Sequence, residues 1–77
     1  MNLAELERGK SAQVVGFRGE AEIETLLREI GFAESDQVEV LGVGPIGGSP
    51  LSIRLNRTVI ALRKDEAACV EVELLAP

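Results

Sequence analysis

Cys69 is the single cysteine and histidine is absent, so carboxylates are the only other side chains able to ligate a metal or move a proton near neutral pH. A structural zinc site draws on about four Cys or His ligands, and none can be built within one such chain. Ser/His/Asp and Cys/His triads are excluded for want of an imidazole. No Walker lysine motif is present, so nucleotide hydrolysis is not this chain's chemistry. Glu71 and Glu73 stand two apart, a spacing that could attract a divalent cation or simply keep one strand face soluble. Cys69 reads as a small core hydrophobe. Arg63 could contact a partner or an anion, or pair with Asp65 or Glu66. What remains is binding. Residues 44–50, Gly-Pro-Ile-Gly-Gly-Ser-Pro, offer Pro45, Ile46 and Pro50 as rigid apolar contacts, and long apolar loops on small barrels are often used that way. Leu27 and Phe32 would stand beside them. Expected catalytic residues are none, and expected metal ligands none.

These residues sit on a chain of 77, enough for one domain over residues 1–77. A domain so short buries only about 60% of its unfolded surface. Its core must come from Val, Ile and Leu, since there are two Phe and no Trp or Tyr. Thirteen acidic against eight basic residues give a formal charge of −5. Nucleic-acid backbones attract basic surfaces and single strands need aromatic platforms, so nucleic acid is not the expected partner. One cysteine permits no internal disulfide, which suits a reducing cytoplasm. The start, Met-Asn-Leu-Ala-Glu-Leu-Glu, lacks the regions of a signal peptide, and no apolar run approaches the roughly 20 residues that span a bilayer. The expectation is a cytoplasmic protein without direct membrane insertion.

The elements follow from periodicity. Asn2 caps a short turn carrying Leu3 and Leu6, ended by Gly9. A strand is predicted over 11–17. In 20–30, Ile23, Leu26, Leu27 and Ile30 recur at i, i+3, i+4 and i+7, one apolar face of a helix that Gly31 stops. Leu26 and Leu27 are adjacent and cannot both face one point. One reading aims Leu27 into a groove with Leu26 in the core, and the plainer one packs both. Further strands are predicted over 37–43, 51–55, 58–63 and 69–74, with 44–50 an irregular loop, Asn56-Arg57 a tight turn and 64–68 one helical turn. In the last strand Val70, Val72 and Leu74 should face inward. The predicted fold is mainly β: an SH3-like small five-stranded barrel with one inserted α-helix and a short helical turn before the last strand.

Three segments carry a resemblance that runs from Leu3 to Val72. They are Leu26-Leu-Arg-Glu-Ile-Gly-Phe32, Val43-Gly-Pro-Ile-Gly-Gly-Ser-Pro-Leu51 and Ile60-Ala-Leu-Arg-Lys-Asp-Glu-Ala67. In this order the chain resembles the FeoA family, small cytoplasmic proteins of bacterial ferrous iron uptake. It departs at Glu34-Ser35, where the family often has Pro-Gly, and at Asn56, where the family often has Gly. The resemblance implies an SH3-like fold and an accessory role to FeoB, the membrane transporter with a cytoplasmic GTPase region. It also implies kinship with the C-terminal modules of DtxR-like repressors and a description as transition-metal binding. The sequence itself supports no required cofactor and at most weak binding of a divalent metal such as Fe2+. The expected function is therefore non-enzymatic: binding and modulating a FeoB-like transporter through a groove formed by Leu27, Phe32, Pro45, Ile46, Pro50 and Arg63, as a monomer or weak oligomer. The alternatives are a metal-linked regulatory module related to the repressor domains, and a nucleic-acid-binding small barrel.

Overall fold

The computed structural model describes residues 1–75. A 3-10 turn, Leu3–Glu5, opens the chain, with the Asn2 backbone N–H donating to Glu5 Oε1 at 2.8 Å. Leu3 and Leu6 are buried, as their spacing predicts. Strand β1, Ser11–Phe17, buries Ala12 and Val14 and exposes Val15 by simple alternation, and a bulge between Val14 and Gly16 then shifts its register with the last strand. Helix α1, Ala21–Ile30, starts after Glu20, with Glu22 and Glu24 in its first turn and Arg28 in its last, as the helix dipole favours. Gly31 stops it at φ 129°, a conformation glycine adopts without a Cβ penalty, and its N–H donates to the carbonyls of Leu27 and Arg28.

Strands β2 (Gln37–Gly44), β3 (Gly48–Leu55) and β4 (Thr58–Leu62) form a meander. Helix α2, Lys64–Ala67, then leads into β5, Val70–Leu74. The strands make one antiparallel sheet in the order β4-β3-β2-β1-β5. A second bulge, between Val40 and Gly42, helps curl it. The inner face carries Val38, Val40, Leu51, Ile53, Leu62, Val70 and Val72, and Leu3, Leu27, Phe32 and Ala67 fill in around it. No polar or charged residue is buried among the described residues. The architecture is the expected SH3-like small barrel.

Three expectations are corrected. Residues 44–50 are not an irregular loop: β2 runs up to Gly44 and β3 leaves from Gly48, with only Pro45, Ile46 and Gly47 between. The glycines make the hairpin tight. A Cβ on Gly44 would collide with the Ser49 carbonyl and stand 2.6 Å from the Pro50 nitrogen. Pro50 is tolerated in β3 because it precedes the first β3–β4 pair, Leu51 with Leu62. The apolar stripe of α1 is also only half used: Leu27 is fully buried and Ile23 packs against the core, while Leu26 and Ile30 are 39% and 38% exposed. Leu74 is 58% exposed rather than in the core, although the Ala12 it pairs with at the end of β5 is fully buried.

Candidate protein-docking site

The β2–β3 hairpin tip is the most exposed apolar feature. Ile46 is 81% exposed and Val43 54%, and Pro45 and Pro50 are exposed with them. Water contact over so much hydrocarbon is unfavourable at about 25 cal/mol per Å2, which a partner's surface would relieve. The tip is held firmly. Ile46 and Ser49 form a bridge across it, with the Ser49 N–H donating to the Ile46 carbonyl at 3.1 Å. The Ser49 hydroxyl in turn accepts the Lys64 N–H at 3.2 Å, tying α2 to the hairpin.

Beside the apolar tip lie two cations. A Cβ at position 48 would stand 3.3 Å from Val43 Cγ1 and 3.9 Å from Lys64 Nζ, so the valine and the ammonium flank the same glycine. Arg63 is exposed at the start of α2, following Leu62, which pairs with Leu51. Glu66 accepts the Arg63 backbone N–H at 2.9 Å and Asp65 accepts the Glu66 N–H at 3.0 Å, so both carboxylates serve the helix start. Neither pairs with the guanidinium. Among the described residues Arg63 and Lys64 make no ion pair, whereas Arg18, Arg28 and Arg54 each do.

The structure therefore brings together Pro45, Ile46, Pro50 and Arg63 from the expected set and excludes Leu27 and Phe32. Leu27 is 0% and Phe32 2% exposed, so no partner can touch them in this conformation. A groove joining them to the hairpin tip does not form. Gly31 lies against Leu55 at one end of β3, while the tip leaves Gly48 at the other. At 3.3 Å per residue the two ends of this strand are about 20 Å apart. Val43 and Lys64 are the site residues that sequence reasoning missed. Their signal was their place at the two borders of the Gly/Pro segment and the helical turn, which only the hairpin brings side by side.

At the other end of the molecule Arg28 clamps the helix. Its guanidinium donates to both oxygens of Glu34 at 3.0 and 2.9 Å and to Glu24 at 2.9 Å, and it stacks 4.6 Å from the Phe17 ring centroid. These bonds raise the guanidinium's pKa further and hold the Glu34 carboxyl below its usual range. This is a structural clamp on the helix-to-strand turn. Cys69 is partly buried, its thiol 3.6 Å from the Asp65 carbonyl. Among the described residues no three His, Cys, Asp or Glu side chains gather in a way that could hold a metal ion. No helix among them is long and apolar enough to cross a membrane.

A family model described as FeoA domain matches residues 1–74. The Fe(2+) transport protein A/Fe(2+) transporter FeoB fusion protein of Porphyromonas gingivalis is 30% identical over 76 residues, which cover 99% of this chain. The chain spans only 9% of that relative's length. Among solved structures, the FeoA-like protein of Clostridium acetobutylicum superposes with a TM-score of 0.91 at 27% identity, over 100% of this chain and 88% of that one. FeoA of Stenotrophomonas maltophilia, described as an SH3 domain protein and complexed with zinc, gives a TM-score of 0.80 at 37% identity, covering 95% and 89%.

Proposed function

Because the chain belongs to the FeoA family, which is associated with ferrous iron transport, we propose that it is a non-enzymatic accessory of a FeoB-type transporter. In this reading it binds the transporter's cytoplasmic GTPase region and modulates uptake through that contact. The hairpin tip is the docking element. Ile46, four-fifths exposed on a hairpin that Ser49 bridges across its tip and ties to α2, is the observation that carries the proposal. A rigid apolar anchor binds with little loss of conformational entropy, and Arg63 and Lys64 beside it favour an acidic surface opposite. The Porphyromonas fusion supports the pairing, since joining two modules raises their effective concentration for each other. Nucleotide chemistry stays with the partner, and iron passes through the transporter as cargo.

The test is a pull-down between this chain and the cytoplasmic region of a FeoB-type transporter, with circular dichroism alongside. Ile46→Glu should fold as wild type, because the residue is four-fifths exposed, and should lose binding by tenfold or more, about 1.4 kcal/mol. A folded Ile46→Glu protein that binds fully removes the hairpin from the interface.

A further inference from the structure

The sheet has two edges, and the chain treats them differently. The outer edge of β5 is covered by the N-terminal residues: Asn2 bridges Glu71, and the Val72 N–H donates to the Met1 carbonyl at 2.9 Å. Its side chains also place Glu71 and Glu73 along that strand. The outer edge of β4 has no such cover. Leu55 and Thr58 close the two-residue turn, and with alternating ladder bonds from that pair Val59 and Ala61 turn their N–H and C=O groups outward. No backbone bond among the described residues reaches them from outside the strand. The strand is Thr-Val-Ile-Ala-Leu, with no charge, no proline and an unbroken register, and Val59 is 59% exposed. Natural edges are usually blunted by a lysine, a proline or a bulge. This one is not.

Its ends are cationic. Arg57 lies in the turn before β4, and Arg63 and Lys64 follow it; none has an ion-pair partner among the described residues. We infer that the β4 edge receives an extended segment of another protein, an uncharged β-branched stretch flanked by carboxylates, added as a sixth strand. The backbone groups of Val59 and Ala61 hold it, and Arg57 and Arg63 select its charge. A second copy of this chain is the poorer occupant. Antiparallel pairing of β4 with itself in full register sets Arg57 opposite Arg63 of the other copy, and like charges directly opposed are destabilising. The inference shares the cations Arg63 and Lys64 with the hairpin-tip reading but not its apolar anchor, since Ile46 lies outside β4, so Ile46→Glu tests that reading and Ala61→Pro this one.

The probe is an acetylated peptide, Glu-Glu-Thr-Val-Thr-Val-Glu-Glu, titrated at high concentration into the isotopically labelled chain and followed by amide shifts and hydrogen exchange. Shift changes and slowed exchange should centre on Val59 and Ala61. The same peptide N-methylated at alternate amides should not bind, and a version with Lys in place of Glu should bind more weakly. Arg63→Glu should weaken the acidic peptide by roughly fivefold. Ala61→Pro removes an outward N–H that makes no ladder bond, so it should fold and lose the peptide. No binding, equal binding of the N-methylated or lysine-flanked peptide, or perturbation confined to other strands would overturn the inference. So would a peptide-free dimer by sedimentation in which the Val59 and Ala61 amides are already protected.

Discussion

Ser35 is held at φ 77°, in the left-handed region, where an L-residue is strained by roughly 1–2 kcal/mol. The turn around it fixes that conformation. The Ala33 N–H donates to Asp36 Oδ2 at 2.9 Å, the Asp36 N–H returns to the Ala33 carbonyl, and the Ser35 N–H reaches the Val14 carbonyl at 2.7 Å. The hydroxyl of Ser35 is exposed and its bonds are all made by the backbone, so Ser35→Gly keeps every one of them. Glycine relieves the strain but loses about 0.5–1 kcal/mol more in chain entropy on folding. The net expectation is a gain of about 0.5–1 kcal/mol. For 77 residues the unfolding entropy is roughly 160 cal/mol/K, so the melting temperature should rise by about 3–6 °C. Ser35→Val places a β-branched residue at the same φ and should lower it. Thermal melts by circular dichroism of the three proteins decide the matter. A glycine variant melting at or below wild type, or a valine variant melting above it, would refute the reasoning.

The remaining predictions concern the helix, the hairpin and acid. Leu27→Gln puts an amide in the core and should cost on the order of 3–5 kcal/mol, while Leu26→Gln should cost under about 1 kcal/mol; urea melts of both check the assignment. Gly44→Ala drives a methyl into the Ser49–Pro50 backbone and should destabilise by about 1–3 kcal/mol, with amide shift changes concentrated at the hairpin tip. Glu34 has a folded pKa lowered by its bond to Arg28, so its contribution is full above the ordinary value of 4.5 and is lost as pH falls below it. Stability of Glu34→Gln should accordingly fall less steeply than that of wild type across that acidic range, measured as denaturation midpoints against pH.

Much of the fold was legible because local rules and tertiary packing agree. The 3.6-residue spacing and Gly31 place α1 within a residue, and Asn56 at φ 54° occupies the positive-φ turn its type favours. The direction in which α1 faces was not legible. Ile23, Leu26, Leu27 and Ile30 make one stripe, and which of them is covered depends on the width of the sheet beneath. The segment 44–50 misled for a different reason. Its glycines read as breakers of strand structure, yet Gly44 and Gly48 form a cross-strand pair, and a Cβ on Gly44 would run into the Ser49–Pro50 backbone. The predicted site failed at the same point: whether the helix end and the hairpin tip share an end of β3 is fixed by topology, which no local pattern in the chain encodes.

The position of β1 between β2 and β5 has a consequence for the order in which the domain assembles. β2, β3 and β4 join through short turns, and their pairing closes small loops that form quickly. The partner of β1 on its other side is the last strand of the chain, and Arg18 meets Glu71 across 53 residues of sequence. Closing that long loop is the slow, entropically costly event. When the whole chain folds, the β2–β3–β4 meander bearing the hairpin tip and the bare β4 edge is therefore the part expected to pair first, with Val14 and its neighbours uncovered on one side until β5 docks. The two surfaces proposed for partners thus lie in the most locally paired part of the sheet, and the long-range contact that closes the domain is made elsewhere.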